Sequence, residues 1–267
     1  HARTSHVWHS SAMRTITLLT DFGTGDYYVG AVKGTLLRLA PEARIVDLSH
    51  DLPPGDVETA AFVLAAAAPA FPAGTVHLAV VDPGVGSARR RLVLSAHGQR
   101  FVAPDNGLLT HLLAAGTVHA VARDDLDLPA PGETFHGRDR FAPVAAALAG
   151  GLDPATFGPE ITDALRLPIP APRCEGEVAI GRVAHIDRFG NLVTDLPSGW
   201  LPAGRAFTLT CGDLVVVRRA RWYEEIPAGE PAAVPGSLGT LELSLRDDSL
   251  AARSGALRGT EVRLRLG

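Results

Sequence analysis

Apolar and polar positions alternate in blocks that predict regular structure along most of the chain. Residues 16–20 read as a first strand, and Asp21–Asp26 as the polar loop behind it. Val29, Val32, Leu36 and Leu39 have helical spacing within residues 28–39, and Pro41 stops the run. Residues 45–48 form a short strand. After the turn at Pro53, Pro54 and Gly55, Asp56 is placed to cap an Ala-rich helix over 57–68. Residues 76–81, β-branched with one His at 77, read as a buried strand. Strands over 92–95 and 101–103 follow, joined by a turn at His97 and Gly98; then come a short helix over 108–113 and a strand over 118–122. A helix over 141–149 ends at Gly150 and Gly151. Strands alternating with helices predict a layered α/β domain around a central, mostly parallel sheet.

The pattern changes after Pro168, Pro170 and Pro172, which give residues 165–173 the composition of an extended linker. Beyond it, residues 178–186, 192–195, 207–211, 214–218, 241–245 and 262–266 are all short strand candidates. A possible turn over 249–253 is the one helical signal there. This predicts a small all-β domain. The expected organisation is a leader over 1–12, an α/β domain over 13–164, the linker over 165–173 and a β domain over 174–267.

Composition narrows the function. The chain has 267 residues and a net charge of −4, which argues against general nucleic-acid binding driven by clustered positive charge. Lys33 is the only lysine, and the abundance of Ala, Pro and Arg points to codon bias as the cause. Cys174 and Cys211 are too few for a disulfide framework or a metal spacing, so a reducing cytosol is the simplest location. The most apolar stretch, 60–81, is broken by Pro69, Pro72 and Gly74, short of the ~20 residues of a membrane span. Residues 1–12 lack the apolar core of a signal peptide, and Met13 looks like a natural start. The histidines at 1, 6 and 9 are therefore not read as a metal site.

Four polar loops stand at strand ends, around Asp21, Asp82, Asp105 and His136. In open α/β sheets such loops gather beyond the carboxyl ends of the strands, where ligands bind. Asp82 and Arg89 lie seven residues apart across Pro83-Gly84-Val85-Gly86, a spacing that lets them meet as an ion pair. Taken alone, Asp82 is as readily a turn residue and His136 a solvated loop histidine. No phosphate-binding Gly-x-x-x-x-Gly-Lys loop, strand-linked Gly-x-Gly-x-x-Gly, Gly-x-Ser-x-Gly or His-Glu-x-x-His is present. Asp21 and Asp26 supply too few hard oxygens for a calcium site. No metal or cofactor is expected.

Five motifs in order carry a resemblance. They are residues 20–30 with Lys33 and Gly34, Asp82-Pro83-Gly84-Val85-Gly86, Pro104-Asp105-Asn106-Gly107, Phe135-His136-Gly137-Arg138-Asp139, and Asp187-Arg188-Phe189-Gly190-Asn191. Together they resemble the S-adenosyl-L-methionine hydroxide adenosyltransferases, hydrolases related to fluorinase and chlorinase. The resemblance implies an N-terminal α/β domain, a C-terminal β domain and a homotrimer. Its active sites would lie between one subunit's N-terminal domain and a neighbour's C-terminal domain. It places the family's catalytic triad on Asp82, Arg89 and His136 and its ribose-binding carboxylate on Asp21. Asp105 and Asn106 fall among the substrate-binding motifs. Asn191 matches the residue that reads the adenine edge, Phe189 the aromatic stacked on the base, and Asp187 the partner of the methionine ammonium. Ser237 and Glu242 match the segment completing the pocket, although Gly236 stands where relatives often carry Asn.

The implied reaction is attack of water on the ribose C5′ of S-adenosyl-L-methionine, giving adenosine and methionine. The residues alone leave open whether Asp82 or His136 takes the water's proton. The rival readings are a halogenase, disfavoured by the short run from Arg89 to Leu92, and a non-catalytic adenosine or S-adenosyl-L-methionine sensor.

Overall fold

A computed structural model of the chain describes residues 14–267; the expected leader over 1–12 lies outside the described residues. The chain divides into two compact units, the first ending at Pro168 and the second beginning at Ile169.

The first unit is built on a seven-stranded sheet. Its strands are β1 (Thr15–Thr20), β2 (Arg44–Ser49), β3 (Val76–Val80), β4 (Arg91–Ala96), β5 (Gln99–Pro104), β6 (Gly116–Ala120) and β7 (Glu160–Ile161), in the order β2-β1-β3-β5-β4-β6-β7. Strand side chains alternate between faces, so Ile16, Leu18, Leu78 and Val80 face one layer and Leu19, Ala79 and Val81 the other. Helices α1 (Tyr28–Leu39) and α3 (Ala142–Ala149) cover the first face, through Val29, Val32, Leu36 and Val144. Helix α2 (Val57–Ala67) covers the second through Ala60 and Leu64, its start capped by Asp56, which accepts from Thr59 N at 3.0 Å. With helices on both faces, all five residues of β3 are buried.

The sheet is mixed, not mostly parallel. The three ladders joining β2, β1, β3 and β5 are parallel, while the three joining β5, β4, β6 and β7 are antiparallel. The reversal is local. His97 and Gly98 both take positive φ (51° and 73°), the turn that folds two strands directly back on each other. The expected helix over 108–113 is also absent. Thr110 N donates to Gly107 O and Leu112 N to Leu109 O, i to i+3 bonds that give successive turns, and β6 begins too soon for an α-helix to propagate.

The second unit holds β8 (Arg173–Glu175), β9 (Val178–Ile186), β10 (Leu192–Pro197), β11 (Phe207–Cys211), β12 (Leu214–Val216), β13 (Ala232–Pro235), β14 (Thr240–Ser244) and β15 (Glu261–Leu266). The order is β12-β11-β15-β9-β10-β14-β13, with β8 on β9, and every ladder is antiparallel. The nine residues of β9 serve three neighbours, Val178–Arg182 pairing with β15, Val178–Ile180 also with β8, and Val183–Ile186 with β10. One short helix, α4 (Leu250–Ser254), interrupts the β pattern. Ser249 Oγ caps its start by accepting from Ala252 N, and Gly255 closes it at φ 68°.

Candidate active site

Because β1, β3 and β5 run parallel, their carboxyl ends open on one edge, and that edge carries Asp21, Asp82 and Asp105. The loop after β3 turns back on itself through Val85 N to Asp82 O (3.2 Å) and Ser87 N to Gly84 O (3.0 Å), with Gly86 at φ 83°. This return brings Arg89 onto Asp82. Arg89 Nε donates to both carboxylate oxygens at 2.7 Å, and its Nη2 reaches Oδ2 as well. The pair is buried, with 9% and 5% of the two side chains exposed, and the guanidinium also lies 5.0 Å over the Phe141 ring.

His136 comes from a third segment. It precedes a π-helical turn, Gly137–Phe141, that leads into α3. Asp139 anchors this turn: its carboxylate takes Gly132 N at 2.8 Å and Arg138 Nε at 2.5 Å, while its carbonyl takes Leu128 N at 2.9 Å. Gly137 allows close approach to the sheet, since a Cβ there would lie 3.1 Å from Phe22 and 3.6 Å from Val80. The result sets His136 Nδ1 3.0 Å from Arg89 Nη2. An arginine only donates, so Nδ1 accepts, and a neutral ring then carries its proton on Nε2. Burial, with the positive charges of Arg140 and Arg89, holds the imidazole pKa below its usual 6.5 against the pull of Asp82 and Glu133. His136 Nε2 is buried without a hydrogen-bond partner.

Asp82 and His136 line a cavity of about 490 Å³ together with Asp21, Gly55 and an aromatic wall. Asp21 Oδ2 accepts from Gly55 N at 2.7 Å. In the wall, Tyr27 stacks on Tyr28 at 4.5 Å, and Phe135 meets Tyr28 edge-on at 5.2 Å and Phe22 at 6.0 Å. Asp105 and Asn106 are not among the lining residues. Asp105, 4% exposed, pairs with Arg90 and accepts from Leu165 N at 2.8 Å; Asn106 donates to Val81 O at 2.9 Å and accepts from Leu108 N. Their polar groups hold the loop itself.

The second unit carries its own cavity, about 560 Å³, lined by Phe189, Asn191, Tyr223, Leu245, Asp247, Asp248 and Ser249. Asp187 shapes the connection from β9 to β10. Its Oδ1 accepts from Phe189 N and Asn191 N, both at 2.9 Å, and its Oδ2 from Asn191 Nδ2 at 2.8 Å. Gly190 (φ 82°) sits so close to α4 that a Cβ would lie 2.0 Å from Ser249 Oγ. The connection thereby presents Phe189 outward, 76% exposed. Glu242 is 7% exposed and accepts from Tyr223 OH at 2.6 Å, and the phenol pKa is raised by burial and by that carboxylate. Ser237 is exposed and outside this lining.

The sequence reading passed over the aromatic wall and Tyr223. A signal was available: the chain has three tyrosines, and all three line one cavity or the other. Among the described residues, no group of three or more His, Cys, Asp or Glu is arranged to hold a metal ion, and no helix is long and apolar enough to cross a membrane.

Comparison with known proteins matches both units. The family model of the SAM hydroxide adenosyltransferase N-terminal domain covers residues 16–158, and that of the C-terminal domain residues 181–263. An (R)-S-adenosyl-L-methionine hydrolase of Thermus thermophilus is 43% identical, over 94% of this chain and all of the relative. A fluorinase of Actinoplanes is 32% identical over 68% of this chain and 71% of its own length. A crystal structure of an uncharacterized conserved protein from Thermotoga maritima superposes with a TM-score of 0.88 at 33% identity, covering 94% of this chain and 99% of that one. With the motifs in order and both halves matched, the chain belongs to the SAM hydroxide adenosyltransferase family.

Proposed function

We propose that this chain hydrolyses S-adenosyl-L-methionine to adenosine and methionine. The observation that carries the reading is the buried Asp82 and His136, each hydrogen-bonded to Arg89, beside a cavity that also holds Asp21. Asp21 takes the ribose diol, two donors for one carboxylate. The sulfonium leaves as a neutral thioether and needs no acid, so the difficulty lies with water, a weak nucleophile. His136, neutral and protonated at Nε2, donates to the water oxygen and orients it. Asp82 is then the acceptor of the proton as the O–C5′ bond forms and the C5′–S bond breaks, its electron pair going to sulfur. Arg89 holds both groups in place and balances the charge. No metal or redox step enters this account.

In the second unit, Phe189 stacks on adenine and Asn191 reads its edge, leaving its amide oxygen to accept from the amino group. Asp187, with Glu242 and Ser237, meets the amino-acid end. Asp105 and Asn106 buttress the loop without touching substrate, which revises the direct binding that the motif match implied. The working assembly on this reading is a homotrimer that brings the two kinds of cavity together across subunits, as the family resemblance implies. Free Cys174 and Cys211 suit a reducing cytoplasm.

Incubation with S-adenosyl-L-methionine, followed by chromatography and mass spectrometry, tests the reading. Adenosine and methionine are expected, with no 5′-halo-adenosine on adding fluoride or chloride. Free adenine, a halogenated product, or bound adenosine without turnover over hours would overturn it.

A further inference from the structure

Lys33, the chain's single lysine, opens a line of polar contacts that ends beside Asp21. Its Nζ lies 2.6 Å from Asp47 Oδ2, and Asp47 Oδ1 lies 3.0 Å from His50 Nε2. His50 Nδ1 is 2.8 Å from Thr20 Oγ1, which in turn accepts from Phe22 N at 3.3 Å. The His50 carbonyl accepts from Gly23 N at 2.8 Å. Thr20 is fully buried and His50 is 5% exposed.

Donor and acceptor roles run one way along this line. Asp47 Oδ1 faces His50 Nε2 at ion-pair distance, short of hydrogen-bond geometry, and because an ionised carboxylate only accepts, a neutral His50 ring carries its proton on Nε2. His50 Nδ1 is then an acceptor, and the Thr20 hydroxyl must donate to it. The hydroxyl oxygen is left to receive Phe22 N–H. Burial alone would push the Asp47 pKa up, but Lys33 and His50 beside it hold it below the ordinary value. With the ring neutral, no link can reverse while the carboxylate is charged.

We infer that Lys33, Asp47, His50 and Thr20 are positioning residues for Asp21. The His50 ring fixes Thr20 and its carbonyl fixes Gly23, the two residues that bracket Asp21 and Phe22. Asp21 is thereby held at both ends of a four-residue arc, with Gly55 N on its carboxylate. Holding the arc removes freedom that the carboxylate would otherwise lose on meeting a diol. The lysine survives, on this account, because its ammonium terminates the line. The inference rests on the proposed role of Asp21 in binding ribose.

A double-mutant cycle tests it. Thr20→Val and, separately, the more exposed Asp47→Asn are each made alone and in an Asp21→Ala background. KM for S-adenosyl-L-methionine and Kd for adenosine, the latter by calorimetry, are then measured beside thermal melting. Alone, each variant is expected to raise KM and Kd roughly five- to tenfold while kcat changes less than about twofold. In the Asp21→Ala background neither should add anything, and Thr20→Ser should restore the wild-type values. Equal effects in both backgrounds, or a loss of kcat with KM intact, would show a general packing role and overturn the inference. If Asp21→Ala itself changes neither constant, the ribose assignment fails and the inference with it. The adenosine titration decides the matter even for a chain without turnover.

Discussion

The cavity beside Asp82 and the cavity beside Phe189 are made in opposite ways. In the first unit, a buried carboxylate and a buried imidazole are each hydrogen-bonded to one guanidinium. In the second, the hydrogen bonds of Asp187 are spent on its own backbone connection, and the aromatic Phe189 projects outward. Charges withdrawn from water interact more strongly and do not reorganise during a reaction, which suits bond making. An exposed ring over a rigid turn offers area and a π-face, which suits recognition of a planar base. On the proposed function, bond making and ribose binding fall to the first unit and base recognition to the second.

The sharpest way to break this contrast is Asp82→Asn, which keeps shape and removes the base. On the proposed mechanism kcat falls by roughly 10² to 10⁴, with KM little changed, as read from the rate of adenosine release. A parallel rise in KM would move Asp82 from chemistry to binding. Phe189→Ala should do the reverse, raising KM about tenfold and leaving kcat and the melting temperature near wild type, because the ring is exposed and its loss is a lost stack. A collapse of kcat there would end the division of labour.

The smallest expected effect is in pH. In the folded chain His136 titrates below 6.5, so the neutral ring that the mechanism needs persists at pH 6.5, and the acid limb of kcat has its midpoint below that value. The same shift makes the unfolded chain take up its proton first. This group therefore costs stability as pH falls below 6.5 and costs nothing well above it. A kcat profile with its acid midpoint above 6.5 would mean that the ring is stabilised in its charged form.

Much of this was readable from residue order, and the failures have physical causes. The spacing of Val29, Val32 and Leu36, the Asp56 cap and the turn at His97 and Gly98 all act locally, and each stands in the fold as the pattern predicts. Strand direction is not local, since alternation marks a strand without saying which way its neighbour runs, and so the antiparallel half of the sheet was missed. Leu108, Leu109, Leu112 and Leu113 have helical spacing, yet they serve as successive turns packed on the second face of the sheet. Strands β7, β8 and β13 are only two to four residues long, too short for a period to show. At the site, the separation of seven positions from Asp82 to Arg89 makes their pairing legible. His136 lies 47 residues beyond Arg89; its loop at a strand end made it a candidate, and the family motif gave it a role. Asp105 and Asn106 match a ligand loop by residue type, and in the fold their polar groups bond to the loop itself, because scaffolding and substrate binding recruit the same polar residues.

Gly190 limits how this protein could be altered. Any side chain there would strike the hydroxyl that begins α4, and Ala251 N already donates to the Gly190 carbonyl at 2.9 Å. Bend and helix therefore move as one part. An engineer reshaping this cavity must leave the bend alone, since a side chain at Gly190 also disturbs the cap of α4.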